Sequence, residues 1–356
     1  MREGTEVTIE LGVFLAELAS NPVLVVVSLL CIGVIIVNGA TDAPNAIATV
    51  VSTRSMKPRH ALIMAALCNF AGLVVMSFFT SAVANTIYNM VDFGGNSEQA
   101  LIALMAAMVA IIVWGVVAWR FGIPTSQSHS LIAGLTGAAI ALQGGFGAIN
   151  GSEWVKVIYG ILLSTFLGFG SGWLIAKLVG KMFSNVDRMQ SATGFRYAQI
   201  ISGAAVAFMH GAQDGQKFMG IFLLAISLAT GLGDTEQMTL PLWLMILCAL
   251  SMGLGTMVGG ERIIKKVGMD MVKLEPYEGF CASLAAFFCM LLSTVAGLPV
   301  STTHTKSTAI MGVGAARNPK AVKWTIALDL VKTWVLTFPG CGLMGFVFAL
   351  LFLAIL

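Results

Sequence analysis

The chain has 356 residues, of which 57% are hydrophobic and only 10% are charged. That is far more apolar side chain than the core of a water-soluble protein of this length can enclose, so much of the surface must face lipid. The net charge of +3 is small and the basic residues are dispersed over several short loops, which argues against a nucleic-acid-binding surface.

The first 20 residues form a distinct N-terminal segment. We expect residues 8–20 to form a short helix on the membrane surface, and the apolar run that follows to remain as an anchor. The segment lacks the basic region and the small-residue cleavage site of a signal peptide. Its acidic residues are Glu3, Glu6, Glu10 and Glu17.

Long apolar runs follow along the rest of the chain. Each is near the roughly 20 residues that a helix needs to cross the hydrocarbon of a bilayer. The clearest are residues 101–119, 154–176, 240–258 and 279–297. The six cysteines lie inside such runs and none forms a CxxC pair, so we interpret them as small buried hydrophobes, not as disulfides or zinc ligands.

The loops between these runs alternate between those with and those without Lys and Arg, and basic loops favour the cytoplasmic side. The basic loops are marked by Arg54, Lys57 and Arg59, by Arg120, by Lys177, Lys181, Arg188 and Arg196, by Arg262, Lys265, Lys266 and Lys273, and by Arg317, Lys320 and Lys323. The loops assigned to the outside contain Asp92 and Glu98, residues 144–153, and Asp234 and Glu236. This pattern predicts about ten crossings with both termini outside the cytoplasm.

Five crossings per half make the second half insert upside down relative to the first. We therefore predict a first repeat over residues 21–180, a short cytoplasmic loop over 181–198 and a second repeat over 199–356. If three long segments are broken or doubled, the total rises to twelve. These segments are residues 22–52, 200–230 and 322–356.

Two pairs of short motifs support an internal duplication. Residues 38–42 read NGATD and residues 210–214 read HGAQD; residues 124–129 read PTSQSH and residues 299–304 read PVSTTH. Both pairs keep the same order and nearly the same separation along the chain.

The first pair places Asp42 and Asp214 within apolar, membrane-length segments. A carboxylate near the bilayer centre costs about 2.5 kcal/mol or more, so it is retained mainly where an ion or substrate uses it. Gly39 and Gly211 permit the helix to unwind, and the freed carbonyls would join the carboxylates as oxygen ligands for a small cation such as sodium. The alternative is structural: the two carboxylates pair with Lys217 or Lys306.

The second pair places hydroxyl side chains directly after a proline. Proline opens a helix, and free N–H groups, hydroxyl donors and the positive end of the helix dipole together make an anion site. The hydroxyl residues are Thr125, Ser126, Ser128 and Ser130 in one copy and Ser301, Thr302, Thr303 and Thr305 in the other. If the halves are inverted, the two runs meet and form a cage for a tetrahedral oxyanion. The alternative is that they are only helix caps and small packing residues.

His129 and His304 end the two hydroxyl motifs. We expect each imidazole to be neutral and to donate to a backbone carbonyl or a hydroxyl, with proton coupling and direct phosphate contact as alternatives.

These motifs resemble the inorganic phosphate transporter family, whose duplicated signature reads Gly-Ala-Asn-Asp followed by an Asn or a Gln-Lys pair. The first copy here is GATDAPNA and the second is GAQDGQK. Thr41 and Gln213 stand where that family usually has Asn, which leaves sodium and proton coupling both open. The resemblance covers nearly the whole chain, and the short central loop is typical of a minimal prokaryotic-type member.

The sequence and the resemblance together predict an all-α polytopic membrane protein of the cell (inner) membrane, with two inverted-topology repeats, broken helices and about 10–12 transmembrane segments. The predicted function is not enzymatic: it is sodium-coupled symport of inorganic phosphate by alternating access. Alternatives are a proton-coupled phosphate, metal-phosphate or sulfate carrier of the same fold, and an anion channel. The expected partners are phosphate, sodium as the coupling ion and the lipid bilayer; monomer and homodimer both stay open.

The resemblance and the motifs assign two sets of site residues. The predicted phosphate ligands are Asn45, Thr125, Ser126, Gln127, Ser128, Gln216, Ser301, Thr302 and Thr303. The predicted sodium ligands are Ala40, Asp42, Asn45, Ala212, Asp214, Ser128 and Thr303.

Overall fold

A computed structural model describes residues 9–94, 96–121, 123, 125–231, 239–258, 264 and 271–356. Its regular structure is helical, as predicted. The described residues form fourteen α-helices: α1 Leu11–Ser20, α2 Pro22–Thr41, α3 Ala43–Ser52, α4 Pro58–Phe79, α5 Ala82–Tyr88, α6 Ser97–Arg120, α7 Gln127–Gln143, α8 Gly151–Leu162, α9 Gly168–Met182, α10 Arg188–Thr230, α11 Leu242–Val258, α12 Pro276–Val295, α13 Thr302–Arg317 and α14 Trp324–Ile355.

Several helices begin where a polar side chain caps their free N–H groups. Asn21 accepts from the N–H of Leu24 at 3.1 Å, and Pro22 opens α2 directly after it. Asn96 and Asn150 cap α6 and α8 in the same way. Such caps mark where each helix starts, because they satisfy N–H groups that have no partner within the helix.

Six helical segments in the described part of the chain are long and apolar enough to cross a membrane. They are Pro22–Ser52, Pro58–Phe79, Ser97–Arg120, Gly151–Met182, Pro276–Val295 and Trp324–Ile355. Large apolar side chains are exposed on these segments, for example Phe79, Phe166 and Val335. This is the surface expected of a protein whose solvent is lipid.

The longest helix, α10, lies at the centre of the bundle. It packs against α4, α12, α5 and α3, whereas α2 packs against α11 and α6. Helix α7 packs against α14, and α13 against α9. The helices that begin with the two hydroxyl motifs are therefore enclosed by other helices, and nearly all their residues are buried.

The two acidic motifs differ in backbone structure. The helical segment that carries the first acidic motif is broken at Asp42, between the end of α2 and the start of α3, as predicted. The break expected at Gly211 is wrong, because α10 runs through it without interruption. Gly211 instead serves packing: a Cβ there would collide with the backbone of Asn69 on α4.

The central region between the predicted repeats is mostly helical. Only residues 183–187 separate α9 from α10, so α10 begins inside the predicted loop. Several charges used to assign the sides of the membrane lie outside the described residues, as does Pro124. These charges are Asp234, Glu236, Arg262, Lys265 and Lys266. The orientation of the termini and the inversion of the halves stay predictions.

Candidate substrate and ion site

The two hydroxyl motifs form the same local structure at the starts of α7 and α13. The Ser126 hydroxyl accepts from the N–H of His129 at 3.4 Å, and the Ser301 hydroxyl accepts from the N–H of His304 at 3.1 Å. In both copies the cap residue precedes a fully helical run. The hydroxyl runs are thus helix caps, and they also place further hydroxyls and free N–H groups at two buried helix starts.

The two helix starts lie side by side. The His129 and His304 rings meet edge to face, with centroids 4.3 Å apart. His304 stacks on Trp334 at 3.6 Å, and His129 lies 4.7 Å from Phe338. Neither imidazole has a hydrogen-bond partner within the described structure. The expected donation to a carbonyl or hydroxyl is therefore wrong: these rings serve aromatic packing between the two motifs.

Asp214 lies at the centre of a dense polar cluster and is fully buried. One carboxylate oxygen accepts from Asn38 Nδ2 at 3.0 Å and from Thr302 Oγ1 at 3.4 Å. The other accepts from Ser128 Oγ at 3.4 Å. His210 Nε2 lies 3.3 Å from Oδ2. Residues from both hydroxyl motifs thus converge on a single carboxylate.

Lys217, one turn further along α10, supplies the positive charge for this cluster. Its Nζ lies 2.8 Å from Asp214 Oδ1 and donates to Ser128 Oγ at 2.7 Å and to the Val300 carbonyl at 2.5 Å. Both charged side chains are fully buried. The structural alternative for Asp214, an ion pair with Lys217, is therefore present.

Asp42 has much less support. Its Oδ2 accepts from the backbone N–H of Gln127 at 3.1 Å, which ties it to the start of α7. Its Oδ1 is buried and has no hydrogen-bond partner in the described structure. No described cation forms an ion pair with it. Lys306 donates to Ser283 at 2.7 Å instead.

Asn45 extends the Asp42 side of the cluster. Its Nδ2 donates to Thr303 Oγ1 at 2.9 Å, whereas its Oδ1 is buried without a described partner. A narrow cleft lies beside these groups, too tight in this conformation for a water molecule. It is lined by Asp42, Asn45, Ala46, Val206, His210, Met290, Thr302 and Lys306.

The remaining predicted residues lie in different surroundings. Gln216 points away from the carboxylates and donates to the Thr80 carbonyl at 2.8 Å. The Thr125 hydroxyl and both side-chain polar atoms of Gln127 are buried without described partners. Ala40 lies in the last turn of α2, beside the break. Ala212 lies inside the unbroken α10, so the freed carbonyl on which its assignment rested is absent.

Besides Lys217, the predicted ligand sets lack three polar side chains that take part in the cluster or line the cleft: Asn38, His210 and Lys306. Asn38 and His210 had a signal, because each is the first residue of its acidic motif. Lys306 had the signal of a charge in the middle of a buried helix, where the sequence suggests only an ion-pair partner.

The chemistry of this cluster suits binding of small ions. It combines two carboxylates, buried hydroxyls, amides and an ammonium group, all held on helices. Among the described residues there is no group of three His, Cys, Asp or Glu side chains that could hold a metal such as zinc. Hydroxyl and amide donors suit an oxyanion, and unpartnered carboxylate and amide oxygens suit a hard cation.

Comparisons with known proteins agree with this chemistry. The model of the phosphate transporter family matches residues 38–194 and 184–345. A probable low-affinity inorganic phosphate transporter of Bacillus subtilis is 39% identical over 309 residues, covering 87% of this chain and 91% of the relative. A protein of the same description from Rhizobium meliloti is 38% identical, covering 86% and 90%.

A solved structure titled "The sodium-dependent phosphate transporter" superposes with a TM-score of 0.85 at 21% identity, covering 94% of this chain and 100% of that one. At this identity the likeness establishes the helical membrane fold. The family match and the close relatives establish more: this chain belongs to the phosphate transporter family, a family of multi-span membrane transporters and not of enzymes.

Proposed function

We propose that the protein is a sodium-coupled symporter of inorganic phosphate in the cell (inner) membrane, working by alternating access about two inverted repeats. The observation that carries the proposal is the meeting of two capped helix starts at two buried carboxylates, one of which forms no ion pair with a described cation. Phosphate transport rests on the family; sodium coupling and the transport cycle rest on this geometry.

Sodium is proposed to bind at Asp42. A buried carboxylate without a cation is costly, and its Oδ1 and the Oδ1 of Asn45 are both buried without a described partner. These are hard oxygens of the kind that a small cation prefers. The Ala40 carbonyl, in the last turn of α2, and the Thr303 hydroxyl, bonded to Asn45, would complete the ligand set. Asp214 and Ser128 are the corresponding groups in the second copy, where the Lys217 ammonium already contacts both of them.

Phosphate is proposed to bind between the starts of α7 and α13. Both helices direct free N–H groups and the positive end of their dipoles to this region. Hydroxyls from both motifs surround it, and the unpartnered amide of Gln127 adds a donor. The proposed ligands are Asn45, Thr125, Ser126, Gln127, Ser128, Ser301, Thr302 and Thr303, whereas Gln216 is left out because it is bonded to the Thr80 carbonyl. Sodium and Lys217 offset the phosphate charge, so an arginine clamp is not needed.

Transport then requires the site to open. Asp42 and Asp214 are fully buried and the cleft beside them is narrower than a water molecule, so this conformation is closed to both sides. Phosphate must enter through movement of one helix group relative to another. The His129–His304 contact joins the two helix starts that enclose the proposed phosphate site.

Uptake of labelled phosphate into proteoliposomes tests the function. An inward sodium gradient should drive accumulation, and the same vesicles with a proton gradient alone should not. Excess sulfate should compete weakly. Uptake driven by protons and indifferent to sodium would overturn the sodium coupling and favour the proton-coupled alternative.

Cysteine labelling tests the proposed orientation. In a cysteine-free background, a cysteine at Asn96 should react with an impermeant thiol reagent from outside, and cysteines at Lys57 and Asn185 should react only after the membrane is permeabilised. Labelling of position 185 from outside would contradict the inversion of the two halves.

A further inference from the structure

The two acidic motifs differ at one position that faces the proposed site. When GATDAPN is aligned with GAQDGQK, Asp42 corresponds to Asp214 and Asn45 corresponds to Lys217. In the hydroxyl motifs Ser128 corresponds to Thr303. A neutral amide in the first copy is thus replaced by an ammonium group in the second.

The contacts of these two side chains follow the same pattern. Asn45 Nδ2 donates to Thr303 Oγ1 at 2.9 Å, and Lys217 Nζ donates to Ser128 Oγ at 2.7 Å. Each therefore reaches from its acidic motif to the same position in the hydroxyl motif of the other copy. Asn45 and Lys217, which correspond in the sequence alignment, therefore also make corresponding contacts in the structure.

Lys217 differs from Asn45 in what its charged end contacts. Its Nζ is held by a carboxylate oxygen, a hydroxyl oxygen and a backbone carbonyl oxygen, at 2.8, 2.7 and 2.5 Å. Carboxylate, hydroxyl and carbonyl oxygens are also the groups that bind hard cations in proteins. The ammonium occupies a place that has the donor set of a cation site.

The first copy has the opposite arrangement. Asp42 Oδ1 and Asn45 Oδ1 are buried without partners in the described structure, and no described cation pairs with Asp42. Lys306 lines the same cleft, but its Nζ is directed to Ser283. The cation site of the first copy is therefore left for an ion from solution.

We propose that Lys217 is a tethered cation which fills the second of two equivalent cation sites, so that the carrier binds one sodium ion, at Asp42. The proposal deepens the proposed function and rests on it for the identity of the ion. It makes Lys217 a residue that sets the number of coupling ions: an ammonium on α10 neutralises Asp214 throughout the cycle without being transported.

Equilibrium binding of radioactive sodium to purified protein without phosphate tests this directly. The wild type should bind one sodium ion per chain. Lys217→Asn gives the second copy the residue that the first copy already accommodates, so it should bind two. Lys332→Gln, the control, removes an ammonium that lies 3.8 Å from Asp329 outside the cluster, and its sodium count should stay at one.

The outcomes separate this proposal from sodium coupling itself. Two sodium ions bound by the wild type, or one bound by Lys217→Asn, would overturn the tethered cation and leave sodium coupling intact. No sodium bound by the wild type but one by Lys217→Asn would overturn sodium coupling and support the tethered cation. No sodium in either protein would overturn both. The wild-type count applies even if the variant fails to fold.

Phosphate binding at saturating sodium gives a second readout. Under the proposal Lys217→Asn still binds phosphate, because a second sodium ion replaces the lost charge. Loss of phosphate binding with an unchanged sodium count would identify Lys217 as a phosphate ligand and overturn the proposal.

Discussion

The two copies of the acidic motif place identical carboxylates in different electrostatic surroundings. Asp214 lies in an unbroken helix, paired with Lys217 and hydrogen-bonded to side chains from both hydroxyl motifs. Asp42 lies at a helix break, with one backbone donor and one unpartnered oxygen. The two motifs thus place a carboxylate at the same motif position in different surroundings: Asp214 is paired with an ammonium group of the chain, and Asp42 is the carboxylate that we propose to bind sodium.

The two carboxylates should therefore fail in different ways when neutralised. Asp214→Asn leaves the Lys217 ammonium buried without its counter-charge, and breaking a buried pair in this way costs about 3–5 kcal/mol. We expect a marked fall in thermal stability in detergent as well as loss of phosphate uptake. Asp42→Asn should abolish sodium-driven uptake while the protein keeps its stability.

The double variant Asp214→Asn with Lys217→Met is the control, since it removes both charges and should regain much of the lost stability. Equal melting temperatures for the two single variants would show that the carboxylates are equivalent after all.

The hydroxyl motifs allow a finer comparison of the same kind. Ser128 contacts both members of the Asp214–Lys217 pair, and hydrogen bonds to charged groups contribute about 1.5–3 kcal/mol. Ser128→Ala should therefore lower the free energy of unfolding by about 1.5–3 kcal/mol. Thr303 contacts the neutral Asn45, and a bond of that kind contributes about 0.5–1.5 kcal/mol. Thr303→Ala should lower the free energy of unfolding by only that smaller amount.

Thermal unfolding of each variant in detergent without phosphate measures the difference. A larger loss for Thr303→Ala than for Ser128→Ala would reverse the assignment of the charged and neutral sides of the site.

The sequence was sufficient for the helical membrane fold and for the prediction that the acidic and hydroxyl motifs meet. Long apolar runs predicted membrane helices, and the paired motifs predicted that residues far apart in the chain would meet. Asn45 with Thr303, and Asp214 with Ser128, are such meetings. Each depends on residue types whose burial is costly unless they find partners, which is why the pattern was informative.

The sequence was not sufficient where one residue type has two uses. Glycine permits both a helix break and a close contact between helices. The sequence pattern favours a break at Gly211, whereas the structure shows that Gly211 packs closely against α4. A buried histidine offers either a hydrogen-bonding group or an aromatic surface, and in His129 and His304 the second use prevails. Only the packed neighbours distinguish such cases.

The smallest expected difference concerns Thr41 and Gln213, which precede the two carboxylates. Gln213 Nε2 donates to Thr294 Oγ1 and to the Leu298 carbonyl, both at 3.2 Å, and so ties α10 to the end of α12 and the segment after it. Thr41 Oγ1 donates to the Val37 carbonyl of its own helix at 2.9 Å. Alanine cannot make this bond, but the Val37 carbonyl belongs to a regular helical turn and is not left without a partner.

Gln213→Ala leaves buried groups without a partner and should lower the free energy of unfolding by about 1–3 kcal/mol. Thr41→Ala should lower it by less than about 1 kcal/mol, because no bond between helices is lost. Thermal unfolding of the two variants under identical detergent conditions measures the order. If Thr41→Ala lowered the free energy of unfolding more than Gln213→Ala, Thr41 would contribute through a contact other than its intrahelical bond. The side chains around Asp42 would then stabilise the first copy more than the single hydrogen bond from Gln127 suggests.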